Sequence, residues 1–98
     1  MLRDIELAFI KLHILHHAAE EEVFGIGLIE ELDTHGYDLS PGTLYPTLSK
    51  MEDLNWLTCE TRTVEGKQRK YYRITPDGEV FLKEIKGKLK ELYDELME

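Results

Sequence analysis

The side chains with the clearest chemistry lie in two groups between residues 37 and 73. The first group carries hydroxyls, one phenol and one amine in a short stretch: Ser40, Thr43, Tyr45, Thr47, Ser49 and Lys50. The second is a run of cations and aromatic residues from Lys67 to Arg73, and Arg62 precedes it. These side chains can donate hydrogen bonds to phosphate oxygens and to base edges, which is the chemistry that DNA recognition requires.

The charge of the chain is distributed unevenly around these two groups. The 98 residues have a net charge of −8, but residues 1–39 carry −7, residues 40–73 carry +2 and residues 74–98 carry −3. A Debye length of about 8 Å at physiological salt keeps distant acids from cancelling a local basic cluster. A net charge of +2 is too small for binding by charge alone, so recognition must depend on how these side chains are presented.

Two amphipathic helices are predicted before the first group. Apolar residues at three- and four-residue steps indicate a first helix over residues 3–19. A second apolar series from Phe24 to Leu32 predicts a second helix, which the His35-Gly36 pair ends. The acidic residues 20–22 then fall in the turn between these helices.

The first polar group belongs to a predicted third helix. Ser40 is a good N-cap and Pro41 suits a first helical position, so this helix runs from Ser40 to about Leu54. Asn55 tolerates the left-handed conformation well and is the expected stop. The buried stripe consists of Leu44, Leu48, Met51 and Leu54. The polar side chains lie off this stripe and can face the major groove of DNA.

Pro46 complicates the start of the third helix. A proline inside a helix removes an amide donor and presses its ring on the carbonyl four residues earlier, here that of Gly42. Either Gly42 relaxes away from the ring, or the first turn is irregular and the regular helix begins nearer Tyr45. For Tyr45 itself, base contact and packing against the wing or the preceding helix both remain open.

The second polar group lies on a predicted β-hairpin. Strands from Leu57 to Val64 and from Gln68 to Ile74 flank a turn at Glu65-Gly66. Alternation places Tyr72 with Ile74 on the core face, and Tyr71 is interpreted as structural. Phosphate or minor-groove contacts are expected from Lys67, Arg69 and Arg62. Arg73 is expected to form a salt bridge instead.

A last helix completes the predicted fold. Thr75 is its N-cap and Pro76 its first residue, and its apolar seam steps by three and four through Leu82, Ile85, Leu89, Leu92 and Leu96. This helix is longer than a small domain can cover, so it is expected to pack on a second copy of the chain.

The predicted elements together give a fold class that is mainly α with a small β-hairpin (α+β). We expect a winged helix-turn-helix domain over residues 1–76 and a dimerisation helix over residues 77–98.

The third helix and the wing resemble the PadR family of bacterial and archaeal transcriptional regulators. The family pattern Leu-Ser-x-Gly-Thr-Leu-Tyr-Pro matches the chain from Leu39 to Pro46, and the later run Arg-Lys-Tyr-Tyr with a following Thr and Gly matches residues 69–78. The resemblance implies a homodimeric, DNA-binding repressor on a pseudo-palindromic promoter site, with a small-molecule effector that controls release. No effector is assigned, because the last helix lacks a tryptophan and Trp56 lies at the end of the third helix.

The chain departs from the family pattern at several positions, among them Met51, which stands for a leucine in the core. Asn55 replaces a glycine, and Lys67 replaces an arginine, which keeps the charge but loses the bidentate fork. The end of the third helix has a single cation, Lys50, where the family favours several. DNA affinity is therefore expected to be weaker than usual. Together with the net charge, this motivates an alternative function, an acidic winged-helix module that binds proteins and has little affinity for DNA.

The histidines give a competing signal for metal sensing. His13 and His17 lie four residues apart on one helical face, His16 adjoins them, and Glu20 and Glu21 follow. This is workable spacing for metal ligands, but such histidines are also common on solvated surfaces, and we predict no metal and no cofactor.

The remaining sequence features exclude other classes of protein. There is no phosphate-binding glycine loop and no nucleophile with a base and an orienting group, so no enzyme activity is expected. The single cysteine, Cys59, is interpreted as a small apolar residue. The absence of a secretory signal and of a long apolar run predicts a cytoplasmic protein with no membrane partner.

Overall fold

A computed structural model describes residues 1–98, which form four helices and a small sheet. The elements in chain order are α1 (Leu2–Glu20), β1 (Val23–Phe24), α2 (Gly25–Thr34), α3 (Pro41–Asp53), β2 (Leu57–Val64), β3 (Lys67–Ile74) and α4 (Pro76–Leu96). This is the predicted α+β winged-helix fold, in which α2 and α3 form the helix-turn-helix and the β2–β3 hairpin forms the wing. No helix is long and apolar enough to span a membrane.

The sheet has one more strand than the sequence predicted. Its order is β1-β3-β2, and all neighbouring strands are antiparallel. The hairpin pairs Leu57 with Ile74 and Val64 with Lys67, and both turn residues have positive φ. The short strand β1 pairs Phe24 with Tyr71, so the prediction that Phe24 belongs to the second helix was wrong. The backbone hydrogen bonds of β1 attach the wing to the start of α2.

One hydrophobic core joins the helices to the base of the wing. Its buried residues are Ile10, Ile14, Leu15, Ala18, Leu28, Leu32, Leu39, Leu44, Leu48, Met51, Leu57, Tyr72 and Leu82. Tyr72 is 1% exposed, which confirms its assignment to the core face of β3, and burial raises the pKa of its phenol. Since Leu82 belongs to this core, the first turns of α4 pack with the winged-helix domain.

The helix α3 is continuous through Pro46. It begins at Pro41, so of the two starts considered the helical one is correct. Ser40 is the N-cap by position, but its hydroxyl does not cap a backbone amide and lies 3.4 Å from the Thr43 hydroxyl. The Thr47 hydroxyl donates to the Thr43 carbonyl at 2.8 Å. In the first turn the Thr43 and Leu44 amides donate to the Ser40 carbonyl at 3.0 and 2.9 Å, and the small hydroxyls lie beside them.

The junction between α3, the wing and α4 is closely packed. Asn55 has φ 61°, which confirms the predicted left-handed stop, and its side chain donates to Asp77 at 2.7 Å. Thr75 caps α4 as predicted, because its hydroxyl accepts from the Gly78 amide at 2.9 Å. A Cβ on Gly78 would overlap the Trp56 carbonyl oxygen, so only glycine fits at this contact. These contacts fix the direction in which α4 leaves the domain.

The far half of α4 projects away from the core. The radius of gyration is 14.3 Å, against about 13 Å for a compact chain of this length. The principal extents are 53 × 29 × 20 Å. Every residue of α4 after Ile85 is exposed, including the apolar ones. The length of α4 thus exceeds what its own chain covers.

Candidate nucleic-acid interface

A groove between α3 and the wing collects several of the predicted contact residues. It has a volume of 390 Å³. The α3 side contributes Tyr45 and Ser49, and the β3 side contributes Lys67, Arg69 and Lys70. Phe24, Gly25 and Ile26 also line the groove. Hydroxyl donors thus face cations across a channel, an arrangement suited to a polyanion that also presents hydrogen-bonding edges.

Tyr45 both packs and remains exposed. Its ring lies against Gly25 at the start of α2, so closely that a Cβ on Gly25 would overlap the phenol. The residue is nevertheless 40% exposed and lines the groove. Packing therefore holds the ring in place while the accessible part faces the channel. The two roles considered for Tyr45 are compatible in this geometry.

The cations at the tip of the wing have no acidic partners. Lys67, Arg69 and Lys70 are exposed, and the ion pairs of the wing all involve Arg62 or Arg73 instead. The Arg69 guanidinium lies 4.8 Å from the centroid of the Phe24 ring, a cation–π contact that restrains it beside the groove. These charges are available to an anion from outside the chain.

Arg62 is placed differently from the sequence-based expectation. Its guanidinium donates to both oxygens of Glu22, at 2.6 and 2.8 Å, and to Glu60 at 2.9 Å. It also covers the Tyr71 ring at 4.4 Å. Because three of its five donors are used by Glu22 and Glu60, Arg62 fastens β2 to the segment after α1 and is less available for the expected DNA contact. Arg73 joins the same cluster at 3.1 Å from Glu22, which confirms its assignment as a salt-bridge partner.

Comparisons with known proteins agree with this geometry. Residues 14–84 match the model of the family described as "Transcriptional regulator PadR-like family". The chain belongs to the PadR-like family. It is 48% identical over 96 residues to the transcriptional regulator Rv3488 of Mycobacterium tuberculosis, covering 98% of this chain and 90% of the relative.

Solved structures of other proteins are similar to the PadR-like chain over nearly its whole length. A PadR-like transcription factor from Bacteroides fragilis superposes with a TM-score of 0.84 at 27% identity, covering 96% of this chain and 92% of the other. A PadR-like transcriptional regulator from Bacillus cereus gives 0.79 at 29% identity, with 97% of each chain covered. The protein is therefore a transcriptional regulator and not an enzyme, as the sequence predicted.

Not all predicted contact residues of this PadR-like chain reach the groove. Ser40 is exposed at the start of α3, and Thr43 and Thr47 are half-buried along its next turns. Lys50 is exposed but lines a different cleft, to which Lys11 of α1 also contributes. The groove thus receives Tyr45, Ser49, Lys67 and Arg69 from the predicted set.

Lys70 is the groove cation that the sequence interpretation missed. Alternation had placed it on the same face of β3 as Tyr72, which was taken to be the core face. The structure keeps that alternation, but the core ends at Tyr72, and Lys70 on the same face lines the groove together with Lys67 and Arg69 from the other face. The alternation along β3 indicated which face Lys70 lies on, but it did not indicate how far along that face the core extends.

The predicted interface residues of α4 divide into two sets. Leu82 is 7% exposed in the core of its own PadR-like chain, so it offers little surface to a second subunit. Ile85 is half-buried and lines a cleft together with Trp56 and Phe81. The rings of Trp56 and Phe81 stack with their centroids 4.0 Å apart. Farther along, the seam is exposed at Leu89, Leu92 and Leu96.

The acidic cluster around Arg62 predicts a pH dependence of stability. Hydrogen bonds from Arg62 lower the pKa of Glu22 below its ordinary value of 4.5. A lowered pKa in the folded state stabilises the protein above pH 4.5, and this stabilisation is lost as the pH falls through the folded pKa. We expect Glu22→Gln to lower the urea midpoint at pH 7 and to have little effect at the lowest pH at which the protein folds.

A matched control is available on the hairpin that carries Arg62. Glu65 lies exposed at the tip of the wing and forms no ion pair, so Glu65→Gln should leave the urea midpoint nearly unchanged at both pH values. A loss in Glu22→Gln that is equally large at both pH values would contradict the assignment to ionic hydrogen bonds.

Proposed function

We propose that this protein is a cytoplasmic, sequence-specific DNA-binding repressor that acts as a homodimer on a pseudo-palindromic promoter site. The observation that carries the proposal is the groove in which Tyr45 and Ser49 of α3 face Lys67, Arg69 and Lys70 of the wing. Membership of a transcriptional regulator family supports the same conclusion. A bound dimer would repress by occupying the promoter.

The α3 helix is proposed to enter the major groove with the wing beside it. Side chains on α3 would contact base edges and the neighbouring backbone, and Lys67 and Arg69 would contact phosphates. The N-terminus of α3 would lie near a phosphate, because the positive end of a helix dipole favours an anion. The proposed contacts on α3 are Ser40, Thr43, Tyr45, Thr47, Ser49 and Lys50. Arg62 is left out because it pairs with Glu22 and Glu60 within the chain.

The second copy is proposed to pack along α4. Leu89, Leu92 and Leu96 are 38%, 51% and 66% exposed on one seam. The first helix also exposes Ile5 and Phe9, which are 47% and 41% accessible. Packing α4 of one protomer against α1 of its partner would cover both sets. A two-fold dimer would then present two α3 helices about 34 Å apart, one turn of DNA.

Release by a small molecule is proposed to act at the cleft between α1, α3 and α4. This cleft has a volume of 240 Å³ and is lined mostly by apolar side chains: Ala8, Leu12, Leu15, Met51, Leu54, Trp56, Phe81 and Ile85. It touches both the reading helix and the proposed interface. A ligand that binds one dimer geometry more tightly would shift the spacing of the α3 helices.

The salt dependence of binding tests the proposal. With about three phosphate contacts per protomer, log K against log salt should fall with a slope near −5 for a dimer on its own upstream promoter DNA. Arg69→Ala should weaken binding to all sequences and reduce the slope by about 2 per dimer, because one phosphate contact is lost in each protomer. Electrophoretic mobility shifts over a salt series measure both quantities.

Two comparisons separate the roles of helix and wing. Tyr45→Phe should change sequence preference more than the salt slope, because it removes a hydroxyl and no charge. Lys83→Ala removes an exposed cation of α4, away from the groove, and serves as the control that leaves both unchanged. If Tyr45→Phe reduces the slope while Arg69→Ala alters only sequence preference, the assigned roles are wrong.

A second candidate is an acidic winged-helix module that binds other proteins and not DNA. The net charge of −8 and the single cation on α3 favour it. It predicts a slope near zero and equal binding to promoter and random duplex. That result with folded, dimeric protein would replace the repressor function by this one.

A further inference from the structure

Three of the four histidines meet where α1 passes the end of α2. His13 and His17 lie one turn apart on α1, and His35 follows the last residue of α2. One ring nitrogen of each lies within 4.8 Å of the others. The rings of His13 and His35 stack with centroids 4.5 Å apart. Residues distant in sequence thus bring three imidazole nitrogens to one place.

Glu31 adds a carboxylate to the three imidazoles. Its Oε1 atom lies 3.4 Å from Nε2 of His17 and 3.4 Å from Nε2 of His35. In a tetrahedral zinc site with metal–ligand distances of about 2.0–2.1 Å, neighbouring ligand atoms are about 3.4 Å apart. The distances from Glu31 to His17 and to His35 therefore already match two edges of such a tetrahedron. Rotation of the His13 side chain toward them would supply the fourth ligand.

His17 supplies an independent sign that a ligand belongs here. Its Nε2 atom is buried and has no hydrogen-bond partner, since the 3.4 Å approach to Glu31 lacks hydrogen-bonding geometry. A buried polar atom without a partner is rare and costly in a folded protein.

We propose that His13, His17, His35 and Glu31 form a binding site for a divalent transition-metal ion of the Zn²⁺ type. Imidazole nitrogens with one carboxylate suit Zn²⁺, Co²⁺ and Ni²⁺, whereas Mg²⁺ and Ca²⁺ require oxygen ligands. The only thiol, Cys59, lies on β2 and takes no part. The sequence interpretation of these histidines as surface residues missed His35 and Glu31, which lie on another helix and its end.

The site is accessible to an ion. A cavity of 160 Å³ next to it is lined by His17 and by three glutamates, Glu21, Glu22 and Glu31. The surrounding carboxylates attract cations and raise their local concentration. A bound ion would join α1 to the end of α2, so binding should stabilise the folded protein.

A second cluster on the same helix provides the matched control. His16, His17 and Glu20 also lie close together, but the His16 imidazole and the Glu20 carboxylate already pair at 2.7 Å on the surface. His16 adjoins His17 in sequence and is 51% exposed. Replacing His16 tests whether a neighbouring histidine outside the proposed site contributes to zinc binding.

Zinc titration of the metal-free protein tests the site. Calorimetry should give one Zn²⁺ per chain with micromolar or tighter affinity, and Zn²⁺ but not Mg²⁺ should raise the unfolding temperature. Removing an imidazole ligand should cost at least about 100-fold in affinity, since even outer-shell partners are worth 10–100-fold. We expect this loss in His17→Ala and His35→Gln, a smaller loss in Glu31→Gln, and no change beyond about twofold in His16→Gln.

The variants also distinguish loss of the site from loss of the fold. His35 is 42% exposed, so His35→Gln keeps the far-ultraviolet dichroism of the wild type while it loses zinc. No Zn²⁺ binding by the wild type overturns the proposal. Loss in His16→Gln together with full binding in His35→Gln also overturns it, because the ion would then lie on α1 alone. None of these measurements involves DNA, so they stand apart from the test of the repressor function.

Discussion

The double variant Leu92→Asp/Leu96→Asp is expected to be monomeric and to lose at least about 100-fold in DNA affinity, because linked binding sites gain that factor or more. Full burial of a leucine side chain contributes about 1.5–3 kcal/mol. Leu92 and Leu96 are 51% and 66% exposed in the protomer, so about half of that value remains to be gained at each. Over the four positions of a dimer this amounts to about 3–6 kcal/mol.

Sedimentation equilibrium and promoter binding measure the two effects of this variant. The control is Glu91→Asp/Glu95→Asp, which places the same residue type at neighbouring exposed positions of α4 off the seam. It should remain dimeric and bind DNA like the wild type. A wild-type protein that is monomeric at micromolar concentration, or a double variant that remains dimeric, would contradict the proposed interface.

The signals that predicted the fold correctly are local ones. Thr75-Pro76 started α4, Asn55 ended α3 in the left-handed conformation, and Glu65-Gly66 turned the hairpin. In each case the backbone preference of one or two residues determines the conformation within a few residues. The alternation along β3 was also sufficient to place Tyr72 in the core.

The errors came from contacts between residues far apart in sequence. Arg62 looked like a free cation because its partner, Glu22, lies 40 residues away on another element. Strand β1 has only two residues, too few for a periodic pattern, and forms because β3 offers it an edge. Leu82 carries the same heptad spacing as Leu89, and only the position of the core separates a buried residue from an exposed one.

The histidine cluster illustrates the same limit for a candidate site. The spacing of His13 and His17 indicated two ligands on one helical face, but two ligands do not make a tetrahedral site. His35 had been assigned only to the end of the second helix. The packing of α1 beside α2 brings His35 and Glu31 to the pair, and this packing could not be predicted from either helix alone.

The largest effect on stability is expected from Gly78→Ala. A Cβ at this position would overlap the Trp56 carbonyl oxygen and lie 2.7 Å from Cγ1 of Ile74. Neither neighbour can move cheaply, since the Trp56 carbonyl also accepts the Thr75 amide at 3.0 Å and Ile74 packs against the core. Overpacking typically costs about 1–3 kcal/mol, and a backbone obstacle places this variant near the upper end. For a domain of this size the unfolding temperature should fall by roughly 10–20 °C.

At a second glycine of α4, replacement by alanine is expected to raise the stability instead of lowering it, because the packing around the two glycines differs. Gly87 lies in the middle of α4 with no atom within 4 Å of a Cβ built on it. Gly87→Ala should therefore stabilise the helix by about 0.5–1 kcal/mol, the ordinary gain from replacing a helical glycine. Thermal unfolding followed by circular dichroism compares the two variants. If Gly78→Ala unfolds at or above the wild-type temperature, the close contact at the base of the wing is wrong, and with it the fixed direction in which α4 reaches its partner.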